Sequence, residues 1–450
     1  MQIRWGLLAL AGLLLAGCGI LPETGTAEPS PDSQGEVPLE TPSSEEAAAP
    51  SLETPSPLSA PDEPGVVRLT VWVAEDLSPA ADSPGGETLA SQLAAFGDMH
   101  PDIQVEVQAK SVSGRGSILD YLRTAPPVAP SVLPDVVLLN RETLIEAARE
   151  GLILPITAET LSAIEVDLYP AAVELGSVDD LPVGIPYLLE IQHNVYRESL
   201  FEDGPPLAYA DLLPERPTEL PAYVFPATAT GGVNDDTLLG YLAAGGSLTN
   251  EEGIPAIDVA ALAEVLTFYE EARENGVLNA SVLQYETTTE TWEAFRQGEA
   301  GLAAVSSMPY LAARDEVPDA GLASALTIDG EPLTLVTGWS WALVASDPER
   351  SAAASTLLAW LMEPVNHGTY AQSVGYLPSQ SVALAVWGDD DPYVSFANRL
   401  LDAALLPPGP ALDSTVGVAM QTAVEDVLLD RASAQEAATA AAVEINPGVE

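Results

Sequence analysis

Hydrophobic residues after residue 65 recur with two different periods. Apolar and polar side chains alternate through Val67–Val73 and again through Ile103–Val107, and a period of two predicts strands. Between these segments, Leu89–Phe96 spaces its apolar residues three and four apart, which predicts a helix. Asp135–Leu139 (DVVLL) is apolar almost throughout, as is typical of a strand buried on both faces.

Two further helices are marked by residues suited to their N-termini. Asp258 precedes an apolar helical pattern that ends at Asn275-Gly276, and Asp347 precedes Pro348 in a sequence typical of a first helical turn. Strands and helices therefore alternate along the chain. This order predicts an α/β fold with a mostly parallel sheet.

The carboxyl ends of parallel strands line the ligand crevice in folds of this class. The segments that follow the first and third predicted strands are Ala74-Glu75-Asp76 and Asn140-Arg141-Glu142. We therefore expect both segments to open into one crevice.

Composition narrows the function classes. The 450 residues include 67 acidic and 15 basic ones, for a formal net charge of −52, whereas nucleic acids and anionic membranes require basic patches. The 47% hydrophobic content allows a large core, and the length suggests two or three domains. A single cysteine excludes an intrachain disulfide and a cysteine-cluster zinc site. We expect no nucleic-acid partner, no cofactor and no metal ion.

The one cysteine, Cys18, ends an N-terminal segment that contains Arg4, an apolar stretch over Leu7–Leu15 and then small residues. The apolar stretch is too short to span a bilayer. Leu15-Ala16-Gly17-Cys18 resembles the bacterial lipobox, whose cysteine is diacylated. Residues 1–18 would then be a lipoprotein signal peptide, and lipid on Cys18 would hold the protein on the extracytoplasmic side of the membrane. The alternative is an ordinary secretory signal with an incidental cysteine.

Residues 19–65 are rich in Pro, Ser, Glu, Thr and Ala and contain no basic or aromatic residue. They cannot bury enough apolar surface to offset the loss of conformational entropy, so we predict a disordered tether. At about 3.1 Å per residue in a polyproline-like conformation, it could reach roughly 150 Å.

Eight segments occur in one order along the rest of the chain: LTVW (69–72), FGDMHPDIQVEV (96–107), PDVVLL (134–139), EGLILPIT (150–157), GIPYLLEIQHNVYRESLF (184–201), FRQGEAGLAAVSSMPY (295–310), GWSWALVASDPERSAAASTLLAWL (338–361) and GYLPS (375–379). In this order they resemble the ABC-transporter extracellular solute-binding proteins of the maltose-binding-protein type. The resemblance implies a protein that captures a solute, most often a saccharide, and delivers it to ABC permease subunits.

The resemblance also implies a two-lobe periplasmic-binding-protein fold (type II) with a ligand cleft between the lobes. Carried over by position, the chain crossings fall near Leu188, Gly338 and Ala383. The N-lobe would comprise residues 66–188 and 339–382, and the C-lobe residues 189–338 and 383–450.

The resemblance assigns candidate ligand contacts. Glu190 falls where maltose-binding members carry a carboxylate that accepts hydrogen bonds from sugar hydroxyls, although an exposed interlobe glutamate is the alternative. Tyr310 falls on an aromatic stacking position, with a buried structural tyrosine at a strand end as the alternative. Trp339 is expected to face the cleft, and Trp341 to lie in the core.

Further contacts are expected after strands and before helices. Asn140 and Arg141 follow the PDVVLL strand, where the family often places polar ligand contacts, although Arg141 could instead form a salt bridge. Glu75 follows the first strand. Asp236 stands with Asn234 and Asp235 where maltose-binding members have an acid and a tyrosine.

Two departures argue against maltodextrin as the solute. No aromatic residue lies near Gly417, where a second stacking residue is expected, and the acid-and-tyrosine pair is not reproduced at Asn234–Asp236. The solute is therefore left open: it could be smaller than maltodextrin or chemically different from it. Residues 66–450 carry 57 acidic and 14 basic residues, so their charge of −43 favours a neutral or cationic solute.

No sequence motif supports an enzyme. HExxH, GxSxG, Walker A and GxGxxG are absent, and His100, His193 and His367 lack metal-ligand spacing. His193, near the expected hinge, is interpreted as a satisfied surface histidine. Alternatives to a transport role are a sensor that presents bound solute to a membrane receptor and, less favoured, a lipid-anchored hydrolase.

We predict that Cys18→Ser abolishes membrane retention and leaves the remainder of the protein folded, because the acyl chains supply the attachment. Metabolic labelling with a radioactive fatty acid should label the parent protein and leave the variant unlabelled. An unlabelled parent protein would contradict the lipoprotein interpretation.

Overall fold

The computed structural model describes residues 65–126, 132–164, 167–201, 204–213, 223–344, 347–388, 390–409 and 412–446. These residues belong to one compact unit that extends over Asp62–Glu450. Residues 1–64, which include the predicted signal peptide, Cys18 and nearly all of the predicted tether, lie outside the described ranges.

The strands in these ranges vary from two to thirteen residues in length. They are β1 Val67–Ala74, β2 Ile103–Lys110, β3 Val136–Asn140, β4 Ser177–Val178, β5 Leu181–Pro182, β6 Ile185–Arg197, β7 Tyr223–Val224, β8 Leu302–Ser306, β9 Ala320–Ala323, β10 Thr334–Leu343, β11 Leu377–Pro378 and β12 Ala404–Leu405.

The α-helices in these ranges stand singly or in succession between the strands. They are α1 Pro84–Met99, α2 Ile118–Thr124, α3 Arg141–Arg149, α4 Ala158–Ile164, α5 Pro170–Leu175, α6 Tyr209–Leu212, α7 Asp235–Ala243, α8 Val259–Glu274, α9 Thr288–Arg296, α10 Ser307–Ala313, α11 Pro348–Leu361, α12 Pro364–Val374, α13 Ser381–Leu384, α14 Pro392–Asp402, α15 Val418–Leu428 and α16 Ala434–Ile445. Among the described helices, none has the length and apolar character needed to cross a bilayer.

The predicted elements form where the sequence patterns place them, which confirms the α/β fold class. The period-two segments become β1 and β2, the DVVLL segment becomes β3, and the helical pattern between them becomes α1. Asp258 caps α8 by accepting hydrogen bonds from the backbone N–H groups of Ala260 and Ala261 at 2.9 and 3.1 Å. Asp347 caps α11 in the same way.

The sheet is mixed rather than mostly parallel, which corrects the prediction. Its main strand order is β2-β1-β3-β10-β6-β8-β7. β1 is parallel to β2 and β3 as expected, but β10 is antiparallel to both β3 and β6, and β6 is antiparallel to β8 and β9. The reason is that the two long central strands, β6 and β10, cross the molecule in opposite directions.

Apolar side chains form three clusters on the two sides of this crossing. On one side, Leu69 and Leu188 belong to the largest cluster of that side, whereas Trp72 packs in a second cluster on the opposite face of the sheet. On the other side, Leu189 belongs to a third cluster that extends to the C-terminal helices α15 and α16. Leu188 and Leu189 are consecutive, so the chain passes from one core to another within a single peptide unit.

Three strands meet at this point. Leu188 and Leu189 of β6 pair with Trp339 and Gly338 of β10 on one edge. On the other edge they pair with β11, and the Ser379 hydroxyl just after β11 donates a 2.7 Å hydrogen bond to a β6 carbonyl. Side chains of α5 and of β11 contribute to the third cluster. The lobe boundaries given above remain a prediction.

We predict that Gly338→Ala destabilises the protein, because a Cβ there would lie 2.0 Å from the carbonyl oxygen of Leu188 and 3.1 Å from the Cα of Leu189. Backbone atoms cannot move aside as a flexible side chain can, so the loss of unfolding free energy should be about 1–3 kcal/mol or more.

Gly97→Ala in α1 is the matched control, since a Cβ at Gly97 meets no atom within 4 Å. This helical substitution should stabilise by roughly 0.5–1 kcal/mol. Urea unfolding of both variants measures the difference. A Gly338→Ala protein as stable as its parent would contradict the close packing of β6 and β10.

Candidate functional site

Two cavities adjoin at the crossing of β6 and β10. Their volumes are about 540 and 300 Å³, and Glu190, Thr337 and Pro407 line both of them. Glu190 and Thr337 are paired residues of β6 and β10, so they stand side by side on one face of the sheet. Together the two cavities form a candidate binding site whose centre is Glu190.

The two cavities differ in character. The larger has an aromatic wall and is lined by Asn140, Arg141, Glu142, Ile145, Glu190, Thr337, Gly338, Trp339, Tyr376, Pro407, Pro408 and Gly409. The smaller is lined by polar side chains and small apolar ones, namely Glu190, Gln192, Pro226, Thr228, Ala229, Val233, Asn234, Asp235, Glu286, Thr287, Thr288, Ser306, Leu335, Thr337 and Pro407.

The side chain of Glu190 lies in this site because of its position on β6. It lies between the buried residues Leu189 and Ile191, and the alternation of a strand turns its side chain to the opposite face. Burial raises the pKa of Glu190, and a hydrogen bond from the Ser306 hydroxyl opposes that shift. Ser306 also lies 3.0 Å from the Thr288 hydroxyl. A half-buried carboxylate with spare acceptor capacity suits a solute that donates hydrogen bonds.

The two tryptophans of β10 lie in different surroundings. Trp341 is buried against Tyr187, with ring centroids 5.4 Å apart, as expected for a core residue. Trp339 is half-buried and lines the larger cavity. Its indole N–H donates a long hydrogen bond of 3.4 Å to the hydroxyl of Tyr376.

Asn140 and Arg141 both line the larger cavity at the start of α3. The side-chain oxygen of Asn140 caps α3 by accepting from the backbone N–H of Thr143 at 2.9 Å. Among the described residues, Arg141 has no salt-bridge partner; one of its guanidinium nitrogens instead donates to the carbonyl oxygens of Leu175 and Ser177 at 2.8 and 2.5 Å. Burial lowers the pKa of Arg141.

Tyr310 lies away from both cavities. It is on α10 rather than at a strand end, is 6% exposed and packs against Tyr393, with ring centroids 5.2 Å apart, and against Trp292. This burial matches the alternative interpretation of a structural tyrosine. An aromatic ring covered by other rings has no free face for a sugar.

His193 is buried in the same aromatic cluster, which corrects its interpretation as a surface residue. Its exposure is 1%, and Nε2 lies 3.2 Å from the Tyr393 hydroxyl. Burial lowers the pKa of His193 to about 4, so the ring is neutral at physiological pH.

Glu75 and Asp236 also lie outside the cavity walls. Glu75 is exposed on a short 3₁₀ helix directly after β1. Asp236 accepts a hydrogen bond from the Tyr223 hydroxyl at 2.5 Å, and burial raises the pKa of Asp236 to about 7. Its neighbour Asp235 lines the smaller cavity instead, because consecutive residues at the start of α7 point about 100° apart.

Several lining residues were missed at the level of sequence. Tyr376 lies within GYLPS, and Gln192 lies two residues after Glu190 on the same face of β6. The period of two could have identified Gln192. Pro407 could not have been found, since its place depends on the pairing of β12 with β10. In the described part of the chain, no cluster of His, Cys, Asp and Glu could hold a metal ion.

Comparisons with known proteins bear on the family and the fold of the chain. Residues 91–395 match the family model for bacterial extracellular solute-binding proteins. Among curated proteins, no relative matches the sequence.

Solved structures share the fold. The cyclic alpha-maltosyl-1,6-maltose binding protein from Arthrobacter globiformis superposes with a TM-score of 0.67 at 21% identity, over 85% of this chain and 99% of that one. The sugar-binding protein MalE from Xanthomonas citri superposes with a TM-score of 0.68 at 17% identity, over 85% of this chain and 97% of that one. Maltose-bound MalE3 from T. maritima superposes with a TM-score of 0.62 at 19% identity, over 85% of this chain and 100% of that one.

We predict that Asp236→Asn makes the protein more sensitive to acid. Burial lowers the pKa values of His193 and His367 to about 4, below the roughly 6.5 of an unfolded histidine, so their contribution to stability is lost as the pH falls from 6.5 towards 4. The pKa of Asp236, about 7, lies above its unfolded value, so its contribution is complete below about pH 4 and is lost as the pH rises to 7.

Removing Asp236 removes the opposing contribution, and the unfolding free energy should then decline more steeply with acid, by up to about 1.4 kcal/mol per pH unit. Urea titrations between pH 4.5 and 7 test this, with Asp98→Asn on the exposed face of α1 as the control. Equal slopes for Asp236→Asn and the parent protein would contradict the prediction.

Proposed function

Because the chain belongs to the family of bacterial extracellular solute-binding proteins, we propose that it captures a saccharide at Glu190 and delivers it to the permease subunits of an ABC importer. The family is extracellular, which places the protein outside the cytoplasm, and its members are binding proteins rather than enzymes.

The observation that carries the proposal is the position of Glu190 where the two cavities adjoin. A carboxylate accepts short, charge-assisted hydrogen bonds from hydroxyl groups, and a saccharide offers several such donors. Trp339 supplies an aromatic face in the larger cavity, while Asn140 and Arg141 supply polar groups at its rim. An apolar wall with a few placed polar groups is typical of small-molecule sites.

The ligands of the structural neighbours support a saccharide. One is described as maltose-bound and another as a binding protein for a cyclic maltosyl-maltose. Their identity to this chain is too low to carry over a particular sugar, and the acidic lining of the smaller cavity, with Asp235 and Glu286 beside Glu190, is compatible with neutral or cationic solutes.

The proposed transport cycle uses a hinge at the crossing. Residues 66–188 and 339–382 would form one lobe, and residues 189–338 and 383–450 the other. Solute contacts with both lobes favour the closed arrangement, which the permease would then recognise. Lipid on Cys18 and the tether of residues 19–65 would keep the loaded protein near the permease while leaving it free to reorient.

We predict that a neutral saccharide raises the thermal unfolding midpoint and that Glu190→Gln weakens its binding. A ligand at 100 times its dissociation constant adds about 2.7 kcal/mol of stability, so a thermal-shift screen of mono- and disaccharides should identify binders. Loss of the carboxylate should cost about 1.5–3 kcal/mol, or a roughly ten- to hundredfold rise in Kd.

Calorimetry of Glu190→Gln measures that loss. Glu198→Gln is the matched control, because Glu198 is exposed just beyond β6 and lines neither cavity. If no sugar in the screen binds, or if both variants bind as tightly as the parent protein, the proposed function is wrong at this site.

A further inference from the structure

The backbone of Tyr376 is fixed on both sides. Gly375 ends α12 in the left-handed conformation, with φ 75°, and the backbone N–H of Tyr376 donates to the carbonyl oxygen of Ala371 at 3.0 Å. The next two residues form β11 and pair with β6 at the crossing. A residue held between a helix end and the crossing strand has a fixed direction for its side chain, and the ring of Tyr376 lines the larger cavity.

The hydroxyl of Tyr376 accepts one hydrogen bond and keeps a hydrogen of its own that it can donate. It accepts the indole N–H of Trp339, which leaves its own hydrogen to donate. Among the residues that the structure describes, no acceptor for that hydrogen is found. Burial and the negative charges of Glu190 and Asp76 raise the pKa of Tyr376, while the bond from Trp339 opposes them, so the hydroxyl stays protonated at neutral pH.

This donor complements the acceptor at the centre of the site. The Glu190 carboxylate can only accept hydrogen bonds, whereas Tyr376 can donate one into the same cavity. A saccharide hydroxyl both donates and accepts, so neighbouring hydroxyls of one ring could satisfy Glu190 and Tyr376 together. The indole of Trp339, which lines the same cavity, offers an apolar surface to the C–H face of that ring.

We propose that Tyr376 holds the indole of Trp339 in the cleft wall and donates its hydroxyl hydrogen to an oxygen of the bound solute. The ring that stacks on Trp339 therefore lies in the larger cavity, with the rest of the solute directed past Glu190 towards the smaller one. This assignment rests on the proposed function, since it requires a saccharide in the site.

The binding test is a double-mutant cycle of Tyr376→Phe and Trp339→Phe, measured by calorimetry with maltose as the first probe and then the other sugars of the thermal-shift screen. Tyr376→Phe removes only the hydroxyl, and Kd should rise roughly 3- to 15-fold, as expected for one neutral hydrogen bond. In the Trp339→Phe background the same change should cost less, because part of its effect acts through the indole. Tyr121→Phe, on an exposed tyrosine of α2 outside the cavities, is the control.

A second measurement needs no ligand. The emission of Trp339 is obtained by subtracting the spectrum of Trp339→Phe from that of the parent protein, and the same subtraction is repeated in the Tyr376→Phe background. The Trp339 spectrum should shift when Tyr376 loses its hydroxyl. An unchanged spectrum would overturn the positioning role.

The outcomes separate this proposal from the proposed function. If sugars bind and Tyr376→Phe binds them as tightly as the parent protein, donation to the solute is refuted while saccharide capture stands. If Tyr376→Phe only lowers the unfolding midpoint, the residue is structural and the proposal fails. If no neutral sugar binds, saccharide capture and donation are both refuted, and fluorescence still decides the positioning role.

Discussion

The close antiparallel contact of β6 with β10 is the constraint on which the rest of the structure depends. Gly338 brings the two backbones so close that a single added carbon would overlap a carbonyl oxygen of β6. At this contact consecutive side chains, Leu188 and Leu189, enter separate cores. Consecutive residues of β6 therefore pack in different hydrophobic clusters, and β6 pairs with β10 and β11 where these clusters meet. The face of the sheet that remains uncovered at the crossing carries Glu190 and Thr337 and becomes the floor of both cavities.

Burial explains why the site can be selective in a protein with so large a negative charge. Exposed acids contribute a long-range field that salt screens over about 10 Å. Glu190 instead lies where desolvation raises its pKa, and its carboxylate can accept hydrogen bonds beyond the one from Ser306. Arg141 lines the larger cavity, and its hydrogen bonds to the carbonyl oxygens of Leu175 and Ser177 tie the start of α3 to α5 and β4. The remaining polar groups of the site are hydroxyls, amides and the carboxylates of Glu142, Asp235 and Glu286, which are compatible with a neutral or cationic solute that donates hydrogen bonds.

Local patterns in the sequence were sufficient to predict individual strands and helices, but they did not predict how the strands are arranged in the sheet. Alternation and N-caps identified β1, β2, α8 and α11 because they depend on residues close in sequence. The mixed sheet could not be derived from strand and helix order, since the direction of β10 is set by partners about 200 residues away in β3 and about 150 residues away in β6. At the site, Glu190, Trp339, Asn140 and Arg141 were placed on the cavity walls by position in the family. Tyr310, Glu75 and Asp236 do not lie on the cavity walls. Other aromatic rings cover Tyr310, Glu75 begins a short 3₁₀ helix, and Asp236 is one residue beyond the lining residue Asp235. Each of these effects redirects a side chain without altering the sequence motif around it.

The central claim is that one solute lies across both cavities at the crossing, in contact with Glu190. A crystal structure of the protein with the tightest-binding sugar tests it most directly. The account predicts density that spans the two cavities, with a hydroxyl within hydrogen-bond distance of the Glu190 carboxylate and a ring against Trp339. Density confined to another site, such as the separate groove between α10 and α12 lined by Met308 and Trp387, with the Glu190 cavities empty, would contradict it.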